Sequence, residues 1–228
     1  MLYTERKLSG TVICGVDEAG RGPVMGPMVV AAVMVENDRA LKRLKVKDSK
    51  LLTRRKREEL AIEIRKISAV EVSIISAAEI DELMGRDTLN ALEAALFADL
   101  IDRLRPDRVF VDAADVIEER FGRNITERTI CRPEMVCSHH ADSMYPVVAA
   151  ASIVAKVLRD QAMDDIQSFF GRPIGSGYAH DRTTIGFIQD WLKENGSLPP
   201  HVRGTWKTAK DLYSLSRVTR LTDWMDER

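Results

Sequence analysis

The stretch TVICGVDEAGRGPVMGPMVVAAVMV, residues 11–35, reads as strand, loop, strand, and it sets the fold class. Residues 11–17 form a short apolar run rich in β-formers, and residues 28–35 form a second run rich in valine. Glycine and proline recur between Gly15 and Pro27, so the two strands are expected to be antiparallel neighbours joined by a loop. Moving outward, Thr53 caps a predicted helix over 54–67, with Leu60, Ile64 and Ile67 on one face. A strand over 70–76 and helices over 77–84 and 88–104 follow. In the second of these helices, Leu89, Leu92, Leu96 and Leu100 recur at helical spacing until Pro106. A strand over 107–112 ends in a carboxylate, and segments 125–133 and 135–138 read as extended. The longest helix is expected over 143–170, stopped by Gly171 and Pro173. A Gly/Ser segment, 175–178, then leads to a helix over 182–195, and a charged element lies beyond Lys210. A hairpin first, then strands alternating with helices, predicts an α/β fold: a mixed sheet with helices on its faces and right-handed crossovers.

Composition narrows the function classes. With 45% hydrophobic and 30% charged residues over 228 positions, the chain can bury a core. Net charge is -1, so affinity for nucleic acid must come from uneven charge distribution rather than bulk basicity. Cys14, Cys131 and Cys137 are odd in number without paired spacing, and read as small buried apolar residues in a reducing compartment. No apolar run approaches the ~20 residues that span a bilayer. Residues 1–10 have no signal-peptide core, and a cytoplasmic protein is expected.

Four acids stand where elements end. Asp17 closes the first strand, Glu18 enters the glycine-rich turn, Asp112 closes the 107–112 strand, and Asp142 immediately precedes the long helix. Ligand sites gather at strand ends in α/β sheets. Carboxylates from different elements suit hard divalent cations and two-metal phosphoryl transfer. Adjacent strand residues point to opposite faces, so Asp17 and Glu18 share a site only if the backbone turns between them, which Gly20 and Gly22 permit. Taken singly, each acid has a plainer reading: Asp142 as a helix cap, Asp112 as a turn residue, Asp17-Glu18 as an ordinary loop.

The strings around these acids carry more weight than any acid alone. Gly15-Val16-Asp17-Glu18-Ala19-Gly20-Arg21-Gly22-Pro23, Lys47-Asp48-Ser49-Lys50-Leu51-Leu52 and Val111-Asp112-Ala113-Ala114-Asp115 resemble the motifs of type 2 ribonucleases H. So do Ala141-Asp142 with the run from Tyr145 to Lys156, Gly175-Ser176-Gly177-Tyr178, and Trp206-Lys207-Thr208. The resemblance runs in order from about Gly15 to Thr208 and has an archaeal flavour. It implies a ribonuclease H-like mixed five-stranded sheet, with a catalytic domain over 1–170 and a helical C-terminal extension over 171–228 packed beside the active-site cleft. It makes Asp17, Glu18, Asp112 and Asp142 the catalytic carboxylates that hold Mg2+ or Mn2+. It makes Gly20-Arg21-Gly22 the loop that recognises the ribose 2'-hydroxyl, and Tyr178 the aromatic that packs on the neighbouring sugar. The implied activity is endonucleolytic: hydrolysis of RNA hybridised to DNA and incision at ribonucleotides embedded in duplex DNA, leaving 5'-phosphate and 3'-hydroxyl ends. Roles in DNA replication and repair follow from that activity.

Physical reasoning agrees with these roles. The 2'-hydroxyl is what separates RNA from DNA at one nucleotide, and a glycine loop brings backbone groups close to it. Between Lys42 and Arg57, nine of sixteen residues are Lys or Arg, so Lys47, Ser49 and Lys50 are expected on phosphates, with Lys156, Arg159, Arg203 and Lys207 extending the patch. Two departures from the family pattern are His140, where Lys usually precedes the Ala-Asp pair, and Gly204-Thr205 before Trp206. His139 and His140 are adjacent, a poor spacing for zinc. The tail residues Leu221, Trp224 and Met225 loosely resemble a sliding-clamp-binding peptide, although Val218 stands where its leading Gln belongs. A monomer is expected. A fold-related nuclease acting on branched DNA, and a non-catalytic hybrid-binding protein, are the competing classes. The first would need no 2'-hydroxyl reader, and the second would need no acidic quartet.

Overall fold

The computed structural model describes residues 11–46 and 52–226, the last nine of them in backbone only. The chain packs into two units. Of the described residues, one is built from 11–19, 29–46, 52–73 and 88–157, and the other from 20–28, 74–87 and 158–226.

The first unit carries the sheet except for the first residue of β2 and the last two of β3, with strands β1 (Ile13–Ala19), β2 (Met28–Val35), β3 (Ala69–Ile75), β4 (Arg108–Asp112) and β5 (Glu134–Ser138) in the order β3-β2-β1-β4-β5. β1 and β2 are antiparallel, as the opening stretch predicts, while β4 runs parallel to both β1 and β5. Seven of the eight β2 residues are buried, as expected for a strand covered on both faces. Short α1 (Arg39–Leu44) and α2 (Arg54–Ile67) follow β2, and the Thr53 side chain caps α2 by accepting from the Lys56 N–H. On one face, Ala94, Phe97, Leu100 and Ile101 of α4 (Leu89–Leu104) and Phe121 and Ile125 of α5 (Glu118–Arg128) pack on Val16, Val30, Val109 and Val111. Phe97 and Phe121 meet edge to face at 5.6 Å.

Two helical expectations change. Residues 125–133, read as extended, begin inside α5. The single helix expected over 143–170 is two: α6 (Ala141–Met144) and α7 (Pro146–Phe170). Pro146 forces Tyr145 out of the helical region, to φ -113 and ψ 116, and then starts α7 as its first residue.

The second unit holds α3 (Ala77–Met84), the later turns of α7, α8 (Arg182–Asn195) and α9 (Lys207–Asp226), the last longer than the small tail element expected. Its core gathers Val24, Met25, Met163, Ile166, Ile174, Phe187, Ile188, Leu192, Val202 and Ala209. Phe170 lies against Phe187 and Trp191, over both of which the Arg172 guanidinium stacks. Among the described residues, no helix is long and apolar enough to cross a membrane.

Candidate functional site

β1 and β4 are registered so that Val16 faces Val111, and the next residue on each strand is an aspartate, Asp17 and Asp112. Gly15 makes this placement possible. A Cβ there would sit 2.2 Å from the Val147 carbonyl carbon and 2.3 Å from the Val148 nitrogen, so only glycine lets β1 lie directly against the start of α7. Asp112 Oδ1 accepts from the Ala141 N–H at 3.1 Å, fixing the start of α6, and Asp142 stands in the first turn of that helix. Asp142 is therefore not the cap. His140 takes that place in the left-handed region (φ 57), which histidine tolerates better than most residues. Ser143 donates to Asp142 Oδ1 at 3.3 Å. Asp17, Asp112 and Asp142 each bring a carboxylate oxygen within 4.8 Å of the others, and neither His139 nor His140 belongs to the cluster.

Glu18 stands differently from expectation. The backbone does not turn between Asp17 and Glu18: β1 continues through Ala19, pairing Asp17 with Ala31 and Glu18 with Val30, and the chain turns at Gly20 (φ 86). Only Asp17 joins the close cluster, as strand alternation requires. Glu18 still feels the site. Its N–H donates to Asp17 Oδ1 at 2.7 Å, and its Oε2 is buried without a hydrogen-bond partner. Burial, followed by the charges of Asp17, Glu93 and Asp112, pushes the Glu18 carboxyl well above the usual range.

Two residues of α7 oppose this crowding. Ser152, fully buried, hydrogen-bonds Asp17, and Lys156 one turn later donates to Ser152 Oγ at 2.6 Å. Burial raises the Asp17 carboxyl to about 6 and the Asp112 charge adds to the rise, while the Ser152 hydrogen bond and the Lys156 charge hold it down. Lys156 thus acts on the carboxylates rather than only on the expected surface patch. Ser152 was missed in the sequence, where its signal was a lone hydroxyl in the apolar run from Val147 to Val154.

A donor set of three clustered carboxylates with a fourth buried carboxyl beside it suits a hard divalent cation. An ion there would relieve the mutual repulsion and supply a partner for the orphaned Glu18 oxygen.

The second unit holds the other sequence-predicted groups. Gly20-Arg21-Gly22 forms a tight loop whose carbonyls accept from Arg203 and Trp206. Arg203 is fully buried, so it does not extend the phosphate patch. Arg159 is buried too; it donates to the Ser176 carbonyl at 3.0 Å and lies 5.3 Å from the Tyr178 ring centre. Lys207 pairs with Asp211 on an exposed face. The Gly175–Tyr178 turn is held by the start of α8. Asp181 accepts from the Ser176 N–H and hydroxyl, and Thr184 Oγ1 accepts from the Gly177 N–H and donates to the Ile174 carbonyl. Those Ser176 bonds hold the Asp181 carboxyl down at about 2. Lys47, Ser49 and Lys50 lie outside the described residues, as do the tail side chains of Leu221, Trp224 and Met225.

Comparison with known proteins agrees with this geometry. The ribonuclease HII family profile matches residues 14–209. Ribonuclease HII of Thermococcus kodakarensis is 45% identical over 205 residues, spanning 88% of this chain and 89% of the relative. That of Archaeoglobus fulgidus is 45% identical over 198 residues, spanning 87% and 95%. The crystal structure of ribonuclease H2 from Pyrococcus horikoshii superposes with a TM-score of 0.85 at 37% identity, covering 91% of this chain and 99% of that one. The ribonuclease HII in a PCNA:RNase HII complex from Archaeoglobus fulgidus does so at 0.82 and 44% identity, covering 88% and 96%. With its mixed five-stranded sheet and its cluster of three aspartates, the chain belongs to the ribonuclease HII family, endoribonucleases that act on RNA/DNA hybrids.

Proposed function

We propose that this chain is a divalent-metal-dependent endonuclease that cuts the RNA strand of hybrids and also incises at single ribonucleotides in duplex DNA, leaving 5'-phosphate and 3'-hydroxyl ends. The observation that carries the reading is the meeting of Asp17, Asp112 and Asp142 within 4.8 Å, with the buried, unpartnered Oε2 of Glu18 as a further acidic oxygen. The three clustered aspartates would hold Mg2+ or Mn2+, and Glu18, outside the close cluster, is proposed as the fourth ligand through its unpartnered Oε2. Such an ion, when bound, supplies Lewis acidity at the scissile phosphate and lowers the pKa of water. The protein's own part is positional: Ser152 and Lys156 hold the Asp17 carboxylate, and the Asp112 bond to the Ala141 N–H aims α6. Gly20-Arg21-Gly22 reads the 2'-hydroxyl, and the half-buried Tyr178, with Arg159 5.3 Å from its ring centre, packs on the adjacent sugar. Lys47, Ser49 and Lys50 bind phosphates without reading bases.

The test is a DNA duplex carrying one ribonucleotide, incubated with Mg2+. Cleavage at that ribonucleotide, with 5'-phosphate and 3'-hydroxyl products and an intact all-deoxy control, is expected. Cutting of a long hybrid but not of this duplex would remove the junction-reading role, and cutting of all-deoxy branched DNA would favour the other nuclease class. A sliding-clamp partner is a second proposal, supported by the complex known for the Archaeoglobus fulgidus relative. Deleting residues 218–228 should abolish retention on immobilised clamp while leaving hybrid cleavage intact. Undiminished retention would place any clamp contact elsewhere.

A further inference from the structure

The three carbonyls of Gly20-Arg21-Gly22 all turn toward one short segment, residues 203–206. Arg203 Nη2 donates to the Gly20 carbonyl at 2.6 Å, and its Nη1 donates to that of Arg21 at 2.8 Å. The same guanidinium reaches the Gly26 carbonyl through Nε at 3.1 Å and Nη2 at 2.9 Å, closing the far end of the loop. The Trp206 Nε1–H donates to the Gly22 carbonyl at 3.2 Å. The guanidinium carbon of Arg203 lies 4.8 Å from the centre of the Trp206 ring, so the two donors also brace each other.

Asp81 of α3 anchors the turn from its other side. Its carboxylate accepts from the Gly204 N–H at 2.6 Å, from the Thr205 N–H at 3.0 Å, and from the Thr205 hydroxyl. Because a peptide unit is planar and trans, fixing one carbonyl fixes the direction of the next N–H. Holding the Gly20 and Arg21 carbonyls therefore sets where the Arg21 and Gly22 N–H groups point.

We propose that Arg203 and Trp206, anchored through Asp81, are positioning residues that aim the Gly20–Gly22 backbone and so set the enzyme's discrimination for the ribose 2'-hydroxyl. This rests on the reading of that loop as the ribose reader. A duplex with one ribonucleotide offers a single productive register, whereas a continuous hybrid offers a 2'-hydroxyl at every step. A loosened loop should therefore harm the first substrate more than the second.

The experiment measures kcat and KM of the full chain with Mg2+ on both substrates. Trp206→Phe removes one N–H and keeps the ring; it should lower kcat/KM on the single-ribonucleotide duplex by about three- to tenfold, with a smaller loss on the hybrid. Arg203→Lys keeps the charge but loses the fork that spans several carbonyls, and should lower it by about tenfold or more. Arg203→Ala should do worse, and added guanidinium should restore part of the loss. If Arg203→Ala does not fold, Trp206→Phe and Arg203→Lys decide. Equal losses on the two substrates, or no loss, would overturn the proposal, as would folded Arg203→Ala that guanidinium leaves unrestored. Gly22→Ala separates this failure from that of the underlying reading. Among the described residues, none apart from its chain neighbours lies within 4 Å of the added methyl, so the substitution leaves the packing of the loop in place. If Gly22→Ala is silent, the loop is not the reader; if it is impaired while Arg203→Lys and Trp206→Phe are silent, only the positioning role falls.

Discussion

Asp17 gathers most of the chemistry at the scale of single residues. It is buried, close to two other aspartates, and held by Ser152 with Lys156 behind it. Asn keeps the shape and removes the charge, so Asp17→Asn should lower hybrid cleavage by more than about a hundredfold, since even outer-shell partners of a metal site cost 10–100-fold. Ser152→Ala, which removes the hydroxyl that bonds Asp17 and accepts from Lys156, should lower it by about tenfold. Steady-state rates under saturating Mg2+ check both, and unchanged turnover in Asp17→Asn would remove Asp17 from the ligand set. Asp112 was legible in the sequence because it ends a strand, and Asp142 because it stands in the first turn of a helix; Asp17 was read as closing its strand, which runs on to Ala19. Arg203 was not. Its partners lie almost the whole chain away, and a buried arginine that binds carbonyls looks in sequence like any surface cation.

Among the elements, close backbone approach decides what could and could not be read. Gly15 lets β1 touch the first turn of α7, a contact announced by no local pattern. Gly15→Ala would place its methyl 2.2–2.5 Å from the backbone of Val147 and Val148. Backbone cannot step aside as a flexible side chain does, so the cost should be about 2 kcal/mol or more. Urea denaturation should show the loss, and hybrid cleavage should fall with it because Asp17 is two residues away on the same strand. A near-silent Gly15→Ala would mean that β1 and α7 can separate freely. α5 was missed for a related reason. Its apolar positions are few, Ile125, Thr126, Thr129 and Ile130 favour strands, and Gly122 sits mid-helix. That glycine brings the helix onto β5, where a Cβ would come within 3.1 Å of the Cys137 Cβ. Tertiary packing overrides local propensity there. α2, α3, α4 and α8 were legible because each starts at a Thr, Ser or Asp whose side chain accepts from the first turn.

For the molecule as a whole, the buried acidic site is a destabilising element that a cation should relieve. The folded protein holds Asp17 near 6 against an ordinary value of 3.8, and Glu18 is raised as well. Between pH 4 and pH 6 the native state therefore keeps a proton that the unfolded chain has released. Stability contributed by Asp17 falls as pH rises through that window and is lost above it. Carboxyls shifted the other way, such as Asp115 beside Arg120 and Asp181 at the α8 cap, weaken the fold only below the ordinary carboxylate range, so they do not mask the effect. In the presence of a chelator, the protein should melt a few degrees higher at about pH 5 than at about pH 7. Asp17→Asn should shrink that difference and should itself be the more stable of the two proteins at pH 7 without metal. Adding Mg2+ at pH 7 should raise the wild-type melting temperature, because binding to the native state alone is stabilising, and should do little for Asp17→Asn. Scanning calorimetry of both proteins at two pH values, with and without Mg2+, tests this linkage. An identical pH slope in both would mean that Asp17 does not carry the strain of the site, and equal stabilisation by Mg2+ would mean that the ion binds elsewhere.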